Sequence, residues 1–210
     1  MISKYTIVIP TLWKSTRIHT LLKNLIDCEC VDEIILIDNN REFYNHYNNL
    51  EKVRLIQPSQ NIYVNPSWNW GVVLSKNNLV ALVNDDINFD TNIFSYLTED
   101  KVKENGFIGM DYSNYDIDVN DTTQWDIVET ITKPHGWGCF IIFHKENWIP
   151  IPDELKIWYG DNFIVEVNPC KKSKLINFKI ETEMSTTSDE PVWNDVKNQD
   201  THYYITNIRK

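Results

Sequence analysis

Paired cysteine motifs, long apolar runs and an excess of basic residues are all missing from this sequence of 210 residues. Its four cysteines include no Cys-x-x-Cys pair, and Cys28-x-Cys30 has no second pair with which to form a zinc site. No apolar stretch is long enough to span a membrane, and no signal peptide precedes the first apolar segment. These absences favour a cytoplasmic protein with reduced cysteines and no transmembrane segment.

The charge of the sequence is strongly negative, with a formal net charge of −10. Such a surface repels nucleic acids and anionic lipids, so we expect neither as a partner. A substrate that carries phosphates would meet the same repulsion unless a bound divalent cation reversed the local field. The hydrophobic content of 42% is typical of a packed globular protein, and the length suits a single domain over residues 1–210.

Residues 1–110 alternate between short apolar runs and segments with helical periodicity. Four apolar runs predict buried strands: Tyr5–Pro10, Glu33–Asp38, Val53–Gln57 and Leu79–Val83. Helices are predicted between and after them: one following Ser15, a short one within residues 39–49, and others at Pro66–Lys76 and Thr91–Lys103. This order predicts an α/β fold with a mostly parallel sheet that helices cover on both faces.

Residues 111–210 are less regular and predict a smaller, mixed half. Strands are predicted at Phe107–Met110, Trp125–Glu129, Cys139–Phe143 and Leu175–Ile180, and helices at Asp161–Val167 and after Asp195. Residues 111–123 and 182–189 are polar and are predicted as loops. No internal repeat or long linker divides the chain, which agrees with one domain, although the chain could belong to a longer multidomain enzyme.

Three adjacent polar residues, Asn84, Asp85 and Asp86, follow the fourth predicted strand directly. Ligands of open α/β sheets bind beyond the carboxyl ends of the strands, where these residues are expected. Adjacent carboxylates repel each other unless a cation is bound, and their oxygens are ligands that Mg²⁺ and Mn²⁺ prefer. Because neighbouring side chains of an extended segment point in opposite directions, we assign the metal to Asp86. A turn rich in Asn and Asp is the alternative interpretation.

The order and spacing of several motifs resemble the nucleotide-sugar glycosyltransferases of the GT-A fold, most of all those of family 2. Tyr5-Thr-Ile-Val-Ile-Pro-Thr11 resembles the first strand of that family, which ends in a Pro-Thr or similar pair. Ile34-Ile-Leu-Ile-Asp38-Asn39 resembles its second strand, and the segment from Asn61 to Gly71 resembles the one before its acidic motif. Asn84-Asp85-Asp86 takes the place of the DxD motif, with Asn at the first position.

The resemblance implies transfer of a sugar from a nucleoside diphosphate donor, with UDP as the expected nucleotide, to a hydroxyl acceptor such as a glycan. It implies inversion at the anomeric carbon and a Mn²⁺ or Mg²⁺ cofactor. Residues 1–110 would bind the donor and residues 111–210 the acceptor. Pro10 and Thr11 would lie beside the base, and Asp38 would bind the uracil or the ribose. Asn69 would lie near the diphosphate or the base edge.

The resemblance also implies roles for the two aspartates after the fourth strand. Asp85 would contact the ribose or the sugar, and Asp86 would hold the metal. Because an amide is a poorer ligand than a carboxylate, Asn84 predicts a weaker metal site than the usual motif. A later residue adds a metal ligand in several GT-A enzymes, and Glu183 or His202 could supply it here.

The acceptor side of the site is predicted from two further segments. Trp158-Tyr-Gly-Asp161-Asn162 resembles the segment in which the family carries an acidic motif, commonly Glu-Asp. Only Asp161 matches, and the resemblance implies that it is the general base; a helix cap is the alternative. In Gly136-Trp137-Gly138, Gly136 would allow close backbone approach and Trp137 would stack on an acceptor sugar, unless the indole packs inside a turn.

Two other functions fit parts of the same pattern. A sugar-phosphate nucleotidyltransferase shares the sheet but usually carries a glycine-rich basic loop after the first strand, and Pro10-Thr-Leu-Trp-Lys14 has no glycine. A non-catalytic carbohydrate- or nucleotide-binding relic of a transferase would explain why the first acid is absent from both acidic motifs. Assay against a panel of nucleotide sugars distinguishes an enzyme from such a relic.

Overall fold

The structure is a computed structural model and describes residues 2–41, 50–115, 124–130, 132–183 and 190–209. The short helix expected within residues 39–49 falls largely outside these ranges, as do parts of the predicted loops 111–123 and 182–189.

Strands from both halves of the sequence build the sheets. In chain order they are β1 (Tyr5–Thr11), β2 (Val31–Asp38), β3 (Val53–Ile56), β4 (Leu79–Val83), β5 (Ile87–Phe89), β6 (Phe107–Gly109), β7 (Asp126–Glu129), β8 (Phe140–His144), β9 (Lys172–Ile176) and β10 (Ile180–Thr182).

The helices alternate with the strands in the first half and become sparser in the second. They are α1 (Arg17–Asp27), α2 (Val64–Leu74), α3 (Ile93–Tyr96), α4 (Glu99–Asn105), α5 (Gly160–Val167) and α6 (Asn194–Tyr203), and a π-helical turn, Tyr204–Ile208, continues α6. None of the helices in the described ranges is both long enough and apolar enough to cross a membrane.

Eight strands form one sheet in the order β3-β2-β1-β4-β8-β6-β9-β7. β1 pairs in parallel with β2 and β4, and β2 pairs in parallel with β3. β8 and β7 run against their neighbours, whereas β6 and β9 are parallel to each other. The fold is therefore α/β with a mostly parallel sheet, and the prediction from the alternating pattern is confirmed.

The central strands are apolar on both faces because helices cover both faces of the sheet. Ile7 and Ile9 of β1 pack in one core layer with the apolar side of α1, whereas Val8 between them packs in the other layer with Trp68 and Val72 of α2. This division follows from the alternation of side chains along a strand. The parallel pairing of β1 with β4 places the carboxyl ends of the two strands beside each other.

Two predicted elements differ in the structure, and one strand was not predicted. The helix expected at Thr91–Lys103 is two helices, because Thr98 is extended and its hydroxyl accepts a hydrogen bond from the backbone N–H of Lys101, which starts α4. The strand expected at Leu175–Ile180 is interrupted at Asn177, whose φ of 59° is left-handed. β5 was not predicted, and it pairs in antiparallel fashion with β10 in a separate two-stranded sheet.

Helix α2 approaches β1 so closely that only glycine fits at position 71. A Cβ atom on Gly71 would lie 2.1 Å from Cγ1 of Val8. We expect Gly71→Ala to lower the free energy of unfolding by about 1–3 kcal/mol, the usual cost of overfilling a packed core. Urea denaturation measures this. Val73→Ala is the matched control, because Val73 is 68% exposed on the same helix and its loss should change stability by less than about 0.5 kcal/mol. Equal stabilities for both variants would contradict this account of the packing.

Candidate active site

A cavity of about 470 Å³ opens at the carboxyl ends of β1 and β4. It lies where ligands of open α/β sheets bind. Residues from both halves of the chain line it: Pro10, Thr11, Leu12, Asn39, Asn61, Tyr63, Val64, Trp68, Asn84, Asp85, Asp86, Lys133, Gly136, Gly138, Cys139, Ile157, Trp158, Tyr159, Asp161, Asn162 and Trp193. Six of the residues predicted from sequence are among them: Pro10, Thr11, Asp85, Asp86, Gly136 and Asp161.

Asp85 is held at the cavity wall by the end of β1. The hydroxyl of Thr11 donates a hydrogen bond of 2.6 Å to Oδ2 of Asp85 and accepts one of 2.8 Å from the backbone N–H of Trp13. Burial raises the pKa of Asp85 to about 6, and the negative charge of Asp86 acts in the same direction, while the hydrogen bond from Thr11 opposes both. The carboxylate is thus costly to keep ionised in the absence of a cation.

Asp86 presents a buried acceptor. Its Oδ1 accepts no hydrogen bond from any part of the chain that the structure describes. Burial raises its pKa, the charge of Glu183 adds to that effect, and Arg17 opposes it. An orphaned buried carboxylate oxygen fits a divalent cation, since Mg²⁺ and Mn²⁺ accept one or two protein carboxylates beside substrate phosphates.

The acidic side chains in the described part of the chain do not surround a metal ion on their own. Within the described ranges, no group of three or more His, Cys, Asp or Glu side chains could hold one. A cation would depend on Asp86, with Asp85 beside it, and on oxygens of a bound substrate or water. The residues fit a metal that arrives with a phosphate-bearing ligand better than they fit a permanently bound one.

Of the two late residues considered as further metal ligands, Glu183 lies closer to Asp86. The backbone N–H of Glu183 donates to the carbonyl oxygen of Asp86 at 3.4 Å, which continues the pairing of β10 with β5. Its carboxylate accepts a hydrogen bond from Ser15 and forms an ion pair of 3.5 Å with Arg17. His202 is exposed on α6.

A helical turn at Trp137–Cys139 joins the two acidic parts of the cavity. The backbone N–H of Asn84 donates to the carbonyl oxygen of Cys139 at 3.0 Å, which fixes the turn to the end of β4. On its other side, a Cβ atom on Gly138 would lie 3.0 Å from Oδ2 of Asp161. A side chain at position 138 would crowd Asp161, so the glycine lets Asp161 pack against the turn to which Asn84 is hydrogen-bonded.

Asp161 lies in the first turn of α5 and is paired with a lysine that the sequence analysis did not identify. Nζ of Lys133 donates a hydrogen bond of 2.9 Å to Oδ2 of Asp161, and Oδ1 accepts one of 2.9 Å from the backbone N–H of Asn162. Both carboxylate oxygens therefore have a partner. The ion pair is mostly buried, with side-chain exposures of 25% for Lys133 and 19% for Asp161.

Packing explains why Gly160 replaces the first acid of the expected Glu-Asp pair. A Cβ atom there would lie 2.1 Å from Oδ1 of the buried Asn65. Asn65 uses its amide to donate to the carbonyl oxygens of Leu155 and Trp158, so it holds the loop before α5 against the start of α2. A glutamate at position 160 would displace Asn65 from these hydrogen bonds. The chain therefore departs from the motif at this position.

The aromatic wall of the cavity is fixed by a buried carboxylate. Asp200 of α6 is completely buried and accepts hydrogen bonds from the backbone N–H groups of Lys156, Ile157 and Trp158 at 2.8–3.0 Å. Three such bonds satisfy a buried charge and hold the loop rigidly. The wall that presents Trp158 therefore depends on the last helix.

Two tyrosines that line the cavity have left-handed backbone conformations. Tyr63, before α2, has φ of 66°, and Tyr159, before α5, has φ of 63°. Such conformations cost of order 1–3 kcal/mol for a residue with a side chain and cluster at functional sites. The ring of Tyr159 stacks on Tyr204 at a centroid distance of 4.4 Å, and Tyr63 meets Trp193 edge-on at 5.9 Å.

Two predicted donor-binding residues do not line the cavity. Asp38 is completely buried, and its carboxylate accepts hydrogen bonds from the backbone of Asn40 at 3.1 Å and the side chain of Gln57 at 2.8 Å. Asn69 exchanges two hydrogen bonds with the backbone of Ile151. Both side chains brace the scaffold, and this corrects the expectation that they contact a nucleotide.

The predicted stacking role of Trp137 is also corrected. Its indole is completely buried, and Nε1 donates to the carbonyl oxygen of Ser173 at 3.1 Å. The ring fills space against Gly109 of β6, where a Cβ atom would lie 2.4 Å from Nε1. No face of the ring is available to an acceptor, whereas the neighbouring Gly136 does line the cavity.

Sequence reasoning missed several residues that the fold brings to the cavity. Trp158 and Tyr159 precede Asp161 by three and two residues, so their proximity to it in the sequence was a usable signal. No sequence signal pointed to Lys133, because it lies in an irregular segment. Trp193 comes from the start of α6, far along the chain, and its position depends on tertiary packing alone.

Comparison of the fold with solved structures finds glycosyltransferases. S. aureus TarS, residues 1–349, superposes with a TM-score of 0.62 over 85% of this chain and 60% of its own, at 14% sequence identity. GalNAc-T7 in complex with UDP, GalNAc and Mn²⁺ gives a TM-score of 0.66 over 86% of this chain and 44% of its own, at 12% identity. This chain has the GT-A glycosyltransferase fold.

The same TarS fragment in complex with UDP-GlcNAc gives a TM-score of 0.61 at 13% identity, over 85% of this chain. The present chain spans between two fifths and three fifths of the length of these proteins. No protein-family model matches the chain, and no curated protein matches it in sequence.

The raised pKa of Asp85 predicts a pH-dependent stability. The folded state binds the proton more tightly than the unfolded state, so this contribution to stability is present below pH 3.8 and is lost as the pH rises through about 6. In EDTA at neutral pH, Asp85→Asn should therefore be more stable than the wild type by on the order of 2–3 kcal/mol, and near pH 3.8 the two should converge.

Urea denaturation at several pH values makes the comparison, and Asp32→Asn is a control of opposite sign. Lys76 lowers the pKa of Asp32, so that substitution should destabilise the protein at neutral pH and lose its effect as the pH falls. If the wild type is as stable as Asp85→Asn at neutral pH, the account of Asp85 as a carboxylate whose burial raises its pKa is wrong.

Proposed function

We propose that this chain is a glycosyltransferase that transfers a sugar from a nucleoside diphosphate sugar, with a UDP-sugar as the expected donor, to a hydroxyl acceptor, with inversion at the anomeric carbon and with Mn²⁺ or Mg²⁺ as cofactor. The observation that carries the proposal is the cavity itself. In a GT-A fold, its two acidic parts, Asp85-Asp86 and Asp161, lie on either side of the turn Trp137–Cys139. The motif order favours family 2, and both halves of the chain act as one unit because both line this cavity.

The donor would occupy the side formed by the ends of β1 and β4. Pro10 and Thr11 would lie beside the base and ribose, and Asp85 would accept a hydrogen bond from a ribose or sugar hydroxyl. Asp86, with its orphaned Oδ1, would hold the cation. When bound, the cation neutralises diphosphate oxygens and stabilises the charge that develops on the departing UDP. GalNAc-T7 binds UDP and Mn²⁺, and TarS binds UDP-GlcNAc, which supports this donor class.

The acceptor would occupy the side formed by the start of α5 and the aromatic wall. Its hydroxyl would lie against Asp161, which takes the proton as the oxygen attacks the anomeric carbon and the bond to the diphosphate breaks. Trp158, Tyr159 and Trp193 offer aromatic rings to the apolar faces of a glycan, the role assigned to Trp137 from the sequence.

A donor panel tests the function directly. Purified protein is incubated with UDP-, GDP- and other nucleotide sugars, with and without Mn²⁺, and nucleotide release and thermal shift are recorded. A metal-dependent shift with UDP-sugars and UDP release are expected. The alternative function is a non-catalytic relic of a transferase, and UDP binding without transfer or hydrolysis from any donor would favour it.

The metal role of Asp86 predicts a specific loss of affinity. In Mn²⁺, Asp86→Asn should weaken UDP binding at least about tenfold, because a neutral amide replaces a charged ligand of the cation. Isothermal titration calorimetry measures the affinity, and in EDTA the variant and wild type should differ little. Asp90→Asn is the matched control, since Asp90 is an exposed acid just after β5. Unchanged UDP affinity of Asp86→Asn in Mn²⁺ would refute the assignment.

The base role of Asp161 predicts a loss of turnover without a loss of donor binding. Asp161→Asn should reduce kcat by about 10²- to 10⁴-fold, the usual contribution of a general base, while UDP binding is retained. Asp153→Asn, an exposed carboxylate on the loop that precedes α5, serves as the control and should retain full activity. Retained turnover in Asp161→Asn would assign proton removal to another group.

A further inference from the structure

Among the described residues that line the cavity, Lys133 is the one that carries a positive charge. Three carboxylates line the same cavity: Asp85, Asp86 and Asp161. A diphosphate with at least two negative charges therefore finds a single protein ammonium to bind. Lysine suits this task because its ammonium carries three N–H donors on a flexible stem.

Lys133 is already engaged by the carboxylate that we propose as the base. Its ammonium donates to Oδ2 of Asp161 at 2.9 Å, and Oδ1 is occupied by the backbone N–H of Asn162. An ammonium bound to a carboxylate oxygen competes with a substrate hydroxyl for that oxygen. In the structure, Lys133 therefore occupies Oδ2 of Asp161, to which an acceptor hydroxyl would otherwise donate.

The ammonium lies close to both acidic parts of the cavity. The thiol of Cys139, buried in the turn between them, has a pKa that burial raises to about 11; the charge of Asp86 adds to this effect, as does that of Asp161, and Lys133 opposes it. The contacts agree with this arrangement. Asp161, which accepts the hydrogen bond from Lys133, packs against Gly138, and the next residue, Cys139, accepts a hydrogen bond from the backbone N–H of Asn84 beside Asp85 and Asp86. A phosphate held beside Asp86 would thus compete with Asp161 for the same ammonium.

We propose that Lys133 is a ligand of the donor diphosphate and that it leaves Asp161 when the donor binds. The inference rests on the proposed function. Donor binding would then free Oδ2 of Asp161 for the acceptor hydroxyl, so the base becomes competent only when a donor is present. The exchange couples occupancy of the donor site to activation of the acceptor.

The coupling predicts an unusual result: removing the charge of the base should tighten donor binding. In Mn²⁺, Asp161→Asn should bind UDP roughly five- to tenfold more tightly, because the mostly buried carboxylate no longer competes for the ammonium. Lys133→Met should bind UDP about tenfold more weakly. In the double variant, Asp161→Asn should bring no gain, because the ammonium through which it acts is absent.

The chain offers a matched control in the ion pair of Lys174 with Asp111. Its side chains are 29% and 22% exposed, against 25% and 19% for Lys133 and Asp161, and neither residue lines the cavity. Lys174→Met and Asp111→Asn should leave UDP affinity unchanged. Urea denaturation of each variant confirms that the folded protein is being titrated.

Calorimetry on these variants separates the possible outcomes. A gain in Asp161→Asn that disappears in the Lys133→Met background supports the exchange. A gain of the same size in both backgrounds would mean that the carboxylate acts through space, and it would overturn the role of Lys133, as would no gain at all. If the wild type binds UDP neither with nor without Mn²⁺, the proposed function itself fails and the inference falls with it.

Discussion

The uncompensated burial of two adjacent carboxylates at the end of β4 is the constraint on which the site depends. A protein with a formal charge of −10 keeps Asp85 and Asp86 half-buried, and burial raises the pKa of each. Thr11 satisfies one oxygen of Asp85, but Oδ1 of Asp86 has no partner in the described part of the chain. Such a pair is unfavourable in isolation and becomes favourable beside a cation, which explains how an acidic protein could bind a diphosphate.

The scaffold brings the second acidic part to the first through backbone contacts. The hydrogen bond from Asn84 to Cys139 fixes the turn before β8, and Gly138 lets Asp161 approach it. Asp200 holds the loop before α5 from the other side through three backbone N–H groups. The groups that we propose for the donor and for the acceptor therefore depend on one frame. In our proposal, the side chain of Lys133 changes its partner within that frame and thereby controls the base.

The sequence predicted the parallel half of the fold well because short, continuous apolar runs such as those of β1 and β4 are typical of buried strands. Residues at or just beyond the ends of these strands, such as Thr11 and Asp86, line the cavity at the edge of the sheet where they were expected. The prediction was wrong where packing between distant segments decides the outcome. Trp137 is buried because Gly109 makes room for its ring. The similarity to solved structures, at 12–14% sequence identity, shows the fold alone. The position of each side chain in the site follows from its contacts in this structure.

A crystal structure of the protein with UDP and Mn²⁺, with the metal located by anomalous scattering, tests the central claim most directly. The account predicts a manganese peak between Oδ1 of Asp86 and the diphosphate, with the ammonium of Lys133 turned from Asp161 to a phosphate oxygen. A nucleotide bound away from the ends of β1 and β4, or a diphosphate in the cavity with no metal at Asp86, would contradict it.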